Sequence, residues 1–197
     1  ITSALEESAT DKKIVNWKHS GQNKVFAKIE GTDQVKTASS APDITKLAGA
    51  DASKDWTFGD ITFNNQQVYA MVIQSEKNSA TAIPYAFLYN AISLKSVDLS
   101  GLSAVTSIDR RFLKFCTALT KLDLSVFTSL TSIDDDFLSM CTSLKEVTLF
   151  NQDPTNITTI EEYNFMYLVP DDCILHAGDY VTEYKAKSPF SNRAAYI

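Results

Sequence analysis

The chain has 197 residues, 44% of them hydrophobic and 21% charged, with six glycines and a formal net charge of −6; such a composition suits one large folded domain, or a repeat domain with a smaller cap. Nucleic-acid binders concentrate Lys and Arg, whereas here nine Lys face ten acids up to residue 80 and nine Lys or Arg face fourteen acids beyond it, so no basic half is hidden and nucleic acid is not an expected partner. No apolar run approaches the roughly 18 residues that cross a bilayer, so no membrane insertion is expected, and three cysteines, an odd number, argue against a disulfide framework.

Residues 1–65 read as an N-terminal cap or small domain. The first residue is Ile rather than Met, so the chain is expected to start inside a longer protein or after a removed secretory or lipoprotein leader. The opening ITSALEESATDKKIVNWKHS has the composition of a helix or two, with Leu5, Ile14, Val15 and Trp17 as apolar contacts. KVFAKIEG at 24–31 alternates Val25, Ala27 and Ile29 in the manner of a short strand, and the polar stretch from Thr32 to Pro42 predicts a loop. From Asp51 to Ala80 a degenerate repeat emerges, in which Val68, Met71 and Ile73 carry a Leu-x-x-Val-x-Leu spacing and Trp56, Phe58, Ile61 and Phe63 fill the earlier part.

From Ile83 the pattern becomes regular. Ile83, Ile108 and Ile133 stand 25 residues apart, as do Phe87, Phe112 and Phe137; Leu94, Leu119 and Leu144; Val97, Leu122 and Val147; and Leu99, Leu124 and Leu149. A fixed period of this length is the signature of a solenoid in which each coil contributes a short strand and stacks on its neighbours. The Val/Leu pairs two residues apart turn one face inward as a strand. Phe followed four residues later by Ala91, Cys116 or Cys141 suits one helical or 3₁₀ turn pressed against the stack. The fold class is therefore α/β, a solenoid of short parallel strands and short helical or 3₁₀ turns. The six recurring apolar positions of one coil, each worth roughly 1.5–3 kcal/mol, do not offset a backbone ordering cost of about 1–2 kcal/mol per residue. No single coil folds alone. The clear coils run 82–106, 107–131 and 132–158, the last lengthened by two residues in NQDPTN. Beyond them the pattern decays: Ile160 continues its column, Phe165 sits one place late, and Cys173, Ile174 and Leu175 form a last strand.

The segments SIDRRFLKFCTALTKLDLS and SIDDDFLSMCTSLKEVTLF resemble the BspA-like leucine-rich repeat family of bacterial cell-surface proteins, over roughly residues 66–197. The tail CILHAGDYVTEYKAKSPFSNRAAYI is similar to that family's closing element, a strand, a Gly turn and a Tyr-containing helix that seal the stack. The resemblance assigns residues 66–170 to leucine-rich-repeat coils and 171–197 to a C-terminal strand-helix cap. Asp109 and Asp134 stand where the family often has Gly, and the first coil lacks its Cys. The resemblance implies a secreted or surface-anchored bacterial module that presents a curved face for adhesion to a host or other extracellular protein or glycan.

The residues themselves lead to a compatible surface, because stacked strands bring their outward positions into columns. The binding candidates are Lys95, Thr120 and Lys145; Ser96, Lys121 and Glu146; and Asp98, Asp123 and Thr148. Their mixed charge makes any recognition polar and salt-sensitive, against the alternative of ordinary solvated strand positions. Cys116 and Cys141 occupy equivalent places and read as a column of small buried hydrophobes, with a disulfide between them restricted to narrow geometry; zinc would require more Cys or His at short spacing. His19 and His176 have no nucleophile motif around them, so no enzyme, cofactor or metal is expected. Asp134, Asp135 and Asp136 with Glu161 and Glu162 offer an acidic edge for calcium, although a solvated helix start accounts for them more simply. The Asn156-Ile157-Thr158 sequon matters only in a eukaryotic secretory setting. Tyr85, Tyr89, Phe115, Tyr163 and Tyr167 fall where the repeat does not demand them; core packing is expected for most, and any exposed subset would form an aromatic patch suited to interfaces or sugar rings. The function expected is non-catalytic binding at the cell surface, the alternative being a structural spacer that displays a neighbouring domain.

Overall fold

A computed structural model of the chain describes residues 24–29, 35–38, 44–58, 61–74 and 80–197. The helical reading of the opening twenty residues, including His19, lies outside them.

The regular coils supply two short strands each. Ala82–Ile83 (β6), Ser107–Ile108 (β8), Ser132–Ile133 (β10) and Thr159–Ile160 (β12) pair in parallel as one ladder. Their register sets Ile83, Ile108, Ile133 and Ile160 in one column. A second set comprises Ser96–Asp98 (β7), Lys121–Asp123 (β9), Glu146–Thr148 (β11) and Ile174–His176 (β13). Each is outward–inward–outward, and the middle residues Val97, Leu122, Val147 and Leu175 are buried, as two-residue alternation requires. Between the ladder and this second set of strands lies one apolar interior in which Leu94, Leu119 and Leu144 are fully buried in the same cluster.

The phenylalanines form the spine of this interior. Phe87, Phe112, Phe137 and Phe165 stack at centroid separations of 6.0, 5.5 and 5.0 Å with rings within 17° of parallel. Phe165, one place late by counting, is thus a full member of the column. The register absorbs the extra residues in two steps, 27 residues from Ile133 to Ile160 and 28 from Phe137 to Phe165. The inserted loop is anchored by Gln152, whose buried amide accepts from Leu130 N–H and donates to Leu130 C=O, both at 2.7 Å. A side chain there supplies the pairing that a neighbouring strand would give.

The segments expected as helical turns have another backbone. Alternate residues carry φ between +50° and +66°: Ala86, Leu88 and Asn90; Arg111, Leu113 and Phe115; Asp136, Leu138 and Met140; Asn164, Met166 and Leu168. Hydrogen bonds of 3₁₀ type survive, such as Cys116 N–H to Leu113 C=O at 3.1 Å. The left-handed residues, however, donate across coils. Arg111 N–H reaches Asp135 C=O forward at 2.9 Å, and Leu113 N–H reaches Phe87 C=O backward at 2.9 Å. A left-handed non-glycine residue costs roughly 1–2 kcal/mol, and a buried unsatisfied N–H costs about 1–3 kcal/mol. Cross-coil pairing resolves the second at the expense of the first.

At the N-terminal side, Val68–Gln74 (β5) runs parallel to β7, with Met71 opposite Val97, so the degenerate coil joins the stack. Lys24–Ile29 (β1) pairs antiparallel with β5, as a strand was expected there. Val35–Ala38 (β2) pairs antiparallel with β1, so the stretch expected as loop contains a strand; cross-strand pairing overrides its turn-rich composition. Asp55–Phe58 (β3) and Ile61–Asn64 (β4) form an antiparallel hairpin in place of a regular early coil, with Trp56 and Phe63 buried edge to face at 6.1 Å.

At the other end β13 leads through Gly178 (φ +55°) into the helix Val181–Ala186 (α1) and a 3₁₀ segment Phe190–Tyr196. Tyr184 and Phe190 are fully buried and meet edge to face at 5.0 Å, and the Tyr184 hydroxyl donates to Phe150 C=O at 3.1 Å. Arg193 donates to the carbonyls of Pro170, Val169 and Met166 at 2.8, 2.9 and 3.3 Å. One guanidinium thereby ties down the end of the last turn.

Candidate functional site

The strand flank carries the nine residues singled out by their spacing. Lys95, Thr120, Lys121, Asp123 and Lys145 are exposed, and Ser96, Asp98, Glu146 and Thr148 are half-buried. They do not form one continuous sheet. β7 is hydrogen-bonded to β5 on its N-terminal side, while β9, β11 and β13 form a separate sheet. Ser96 and Asp98 therefore belong with the N-terminal strands, and Lys95 lies over the Tyr69 ring at 4.9 Å. On the second sheet the register aligns Lys121, Glu146 and Ile174 in one row and Asp123, Thr148 and His176 in the next. Glu146 sits 3.5 Å from Lys121 Nζ and 3.8 Å from His176 Nε2. These groups are solvated, so their pairing contributes at most about 1 kcal/mol; its effect is to align side chains. Asp98 and Asp123 have an added task, since each accepts the N–H two residues on, Ser100 at 2.8 Å and Ser125 at 2.9 Å, closing the turn after the strand.

The opposite ladder, whose residues are not among the nine, borders a groove of about 590 Å³. Ala82, Ser107, Ser132 and Thr159, the outward residues of β6, β8, β10 and β12, line its floor. Threonines fix the strand starts: the hydroxyls of Thr106, Thr131 and Thr158 donate to the carbonyls of Thr81, Thr106 and Thr131 at 3.1, 3.0 and 3.2 Å. Asp109, Asp134, Asp135, Glu161 and Arg110 form its charged rim. The sequence signal was present in the repeated Thr-Ser-Ile of two coils, but it reads equally as ordinary strand composition.

The acidic run resolves into separate roles. Asp136 is buried and bonded to Lys114 Nζ at 2.8 Å and to Asn164 Nδ2 at 3.0 Å, with Arg111 Nε at 3.7 Å. Asp134 accepts from its neighbour's N–H at 2.7 Å and faces the groove. No helix starts there, because the turn residues alternate in handedness. Among the described residues no group of three metal-ligating side chains converges.

Cys116 and Cys141 are buried, free thiols that donate to Leu88 C=O and Leu113 C=O of the preceding coil at 3.3 and 3.2 Å. Burial pushes Cys141 up to about 12 and Cys173 up to about 11, and holds Cys116 well above its ordinary value. Such thiols are poor nucleophiles and ligands at neutral pH.

The aromatics outside the repeat divide. Tyr163 and Tyr167 are 70% and 53% exposed, and Tyr85 39%. Tyr89 and Phe115 are half-buried against each other, edge to face at 5.6 Å. Three of the five are thus more open than core packing predicts.

The family model for the BspA-type leucine-rich repeat region matches residues 57–170 in six copies, more than half of the chain. The chain is a BspA-type leucine-rich repeat protein. No curated protein and no solved structure matches it. The BspA-type repeat accounts for the Ile, Phe and Leu columns and for the extension of the stack upstream of Ile83. Among the described residues no helix is long and apolar enough to cross a membrane.

Proposed function

We propose that the chain is a non-catalytic recognition module of a bacterial surface protein, adhesion-type in action, contacting an extracellular or host protein through its strand flank. The observation that carries this reading is the registered pair of rows on β9, β11 and β13, in which Lys121, Glu146, Asp123, Thr148 and His176 all face solvent on a base of buried apolar residues. Rigid side-chain rows with complementary charges favour steering and selectivity more than raw affinity. Family membership supports the same assignment, since BspA-type repeats are generally surface protein-binding repeats.

Beads coated with the chain, tested for adhesion to immobilised extracellular-matrix proteins, examine this directly. The combined variant Lys121→Ala, Lys145→Ala and Glu146→Ala is expected to melt as the parent does, to lose adhesion, and to lose the salt dependence with it. Asp98 and Asp123 are left intact because they hold turns. Unchanged adhesion by the folded variant would remove the strand flank as the contact surface.

A further inference from the structure

We propose that the groove on the β6–β8–β10–β12 ladder is a binding site for a neutral oligosaccharide lying across the coils. This deepens the reading of the chain as a recognition module and rests on it, but uses a different face.

Three independent features point to a sugar. The floor offers the hydroxyls of Ser107, Ser132 and Thr159, which bond to no other described residue, on small side chains that leave an extended and open trough. The rim offers planar polar groups: Asp135, Glu161 and the guanidinium of Arg110, whose side chains make no hydrogen bond or ion pair among the described residues. These are acceptors and donors of the sort that read a ring of hydroxyls. The third feature is aromatic. Arg110 C=O accepts from Ala86 N–H, Arg111 N–H donates to Asp135 C=O, and Asp136 N–H donates to Tyr163 C=O. Tyr85, Arg110, Asp135 and Tyr163 therefore hold equivalent positions in successive coils; Arg110 and Asp135 line the groove, and the two tyrosines stand one coil beyond them on either side. The Tyr85 hydroxyl is held at 2.6 Å by Arg111, and Tyr163 is the most exposed large hydrophobic side chain among the described residues at 70%. An exposed ring with an electron-rich face stacks on the C–H face of a pyranose. Three inter-coil steps of about 4.8 Å separate the tyrosines, a span suited to a short sugar chain.

Two alternatives fit less well. An extended peptide gains affinity mainly by adding to a free strand edge, but β8 and β10, at the middle of the floor, are paired on both sides. A uronic or sialic acid chain meets a rim of four carboxylates and one guanidinium, and like charges repel it.

The test is saturation-transfer NMR and titration calorimetry with cello-, chito-, malto- and mannotetraose, a chondroitin tetrasaccharide and a Lys-Gly octapeptide. At least one neutral tetrasaccharide is expected to bind saturably and in preference to the acidic sugar and the peptide. Tyr163→Ala and Asp135→Asn should each weaken it tenfold or more without changing the melting temperature, and Tyr163→Trp should retain it. The strand-flank triple variant should bind the sugar as the parent does. No neutral binding, preference for the charged probes, or affinity unchanged in Tyr163→Ala would overturn the proposal. Loss of sugar binding in Tyr163→Ala with bead adhesion intact separates the groove from the strand flank; adhesion absent in the parent while the sugar binds defeats the strand flank as the contact surface and leaves the chain a recognition module through its groove.

Discussion

Phe112 shows how much one residue carries. It is fully buried between Phe87 and Phe137, with rings at 6.0 and 5.5 Å, so truncation opens a cavity that two neighbouring coils must line. Phe112→Ala is expected to cost about 3–5 kcal/mol, measured as a shift of the urea midpoint. Asp136 represents the other kind of site, a buried carboxylate that compensates Lys114 and Arg111. Asn tolerates its left-handed backbone, which isolates the effect of charge; Asp136→Asn should cost on the order of 1–3 kcal/mol by leaving Lys114 without its counter-ion. A double-mutant cycle with Lys114→Met reads that coupling. Coupling near zero would mean that the amide's hydrogen bonds to Asn164, not the charge, are what the turn requires.

At the level of elements, the C-terminal cap joins buried aromatic packing to one polar anchor. Arg193 serves three carbonyls, and charged hydrogen bonds contribute about 1.5–3 kcal/mol each at most. Arg193→Ala should therefore raise amide hydrogen exchange over 181–197 and lower overall stability by about 2 kcal/mol, while exchange in β8 and β9 changes little. Lys in its place restores the charge but not the fork that reaches several carbonyls. Uniform acceleration of exchange along the stack would show that cap and coils unfold as one unit. The turn ribbon is the element whose geometry departed most from expectation: a helical turn closes its hydrogen bonds locally, whereas this ribbon sends alternate N–H groups to the coils on either side.

For the molecule as a whole, stability is expected to depend on pH through its buried acids. Burial raises Cys116, Cys141 and Cys173 from an ordinary 9.0, Cys141 to about 12 and Cys173 to about 11, and raises Tyr184 above its ordinary 10.0. A raised acid binds its proton more tightly folded than unfolded, so its contribution is complete below the unfolded value and declines as pH climbs through the folded one. The melting temperature should hold up to about pH 9 and then fall steadily towards pH 11–12. Replacing all three cysteines by Ala should flatten the early part of that fall. A melting temperature constant to pH 11 would mean that the thiols are open to solvent.

The period alone determined the solenoid, one of the two strands of each coil and the burial of the Ile, Phe, Leu and Cys columns, because equivalent positions in stacked coils meet the same neighbours; the strands of the β6–β8–β10–β12 ladder emerged only in the structure. The period also located the strand flank, since two-residue alternation fixes which side chains face outward. Tertiary structure decided what period cannot encode. The handedness of the turn ribbon follows from hydrogen bonds between coils, which no single coil contains, and Asp136 meets its partners Lys114 and Asn164 only across those coils. The return of Phe165 to its column depended on a loop pinned by Gln152, and the break between β7 and β9 on pairing across separate coils. The groove likewise arises only where four short strands from distant segments lie side by side, because concavity is a property of their packing and leaves no mark on any one of them.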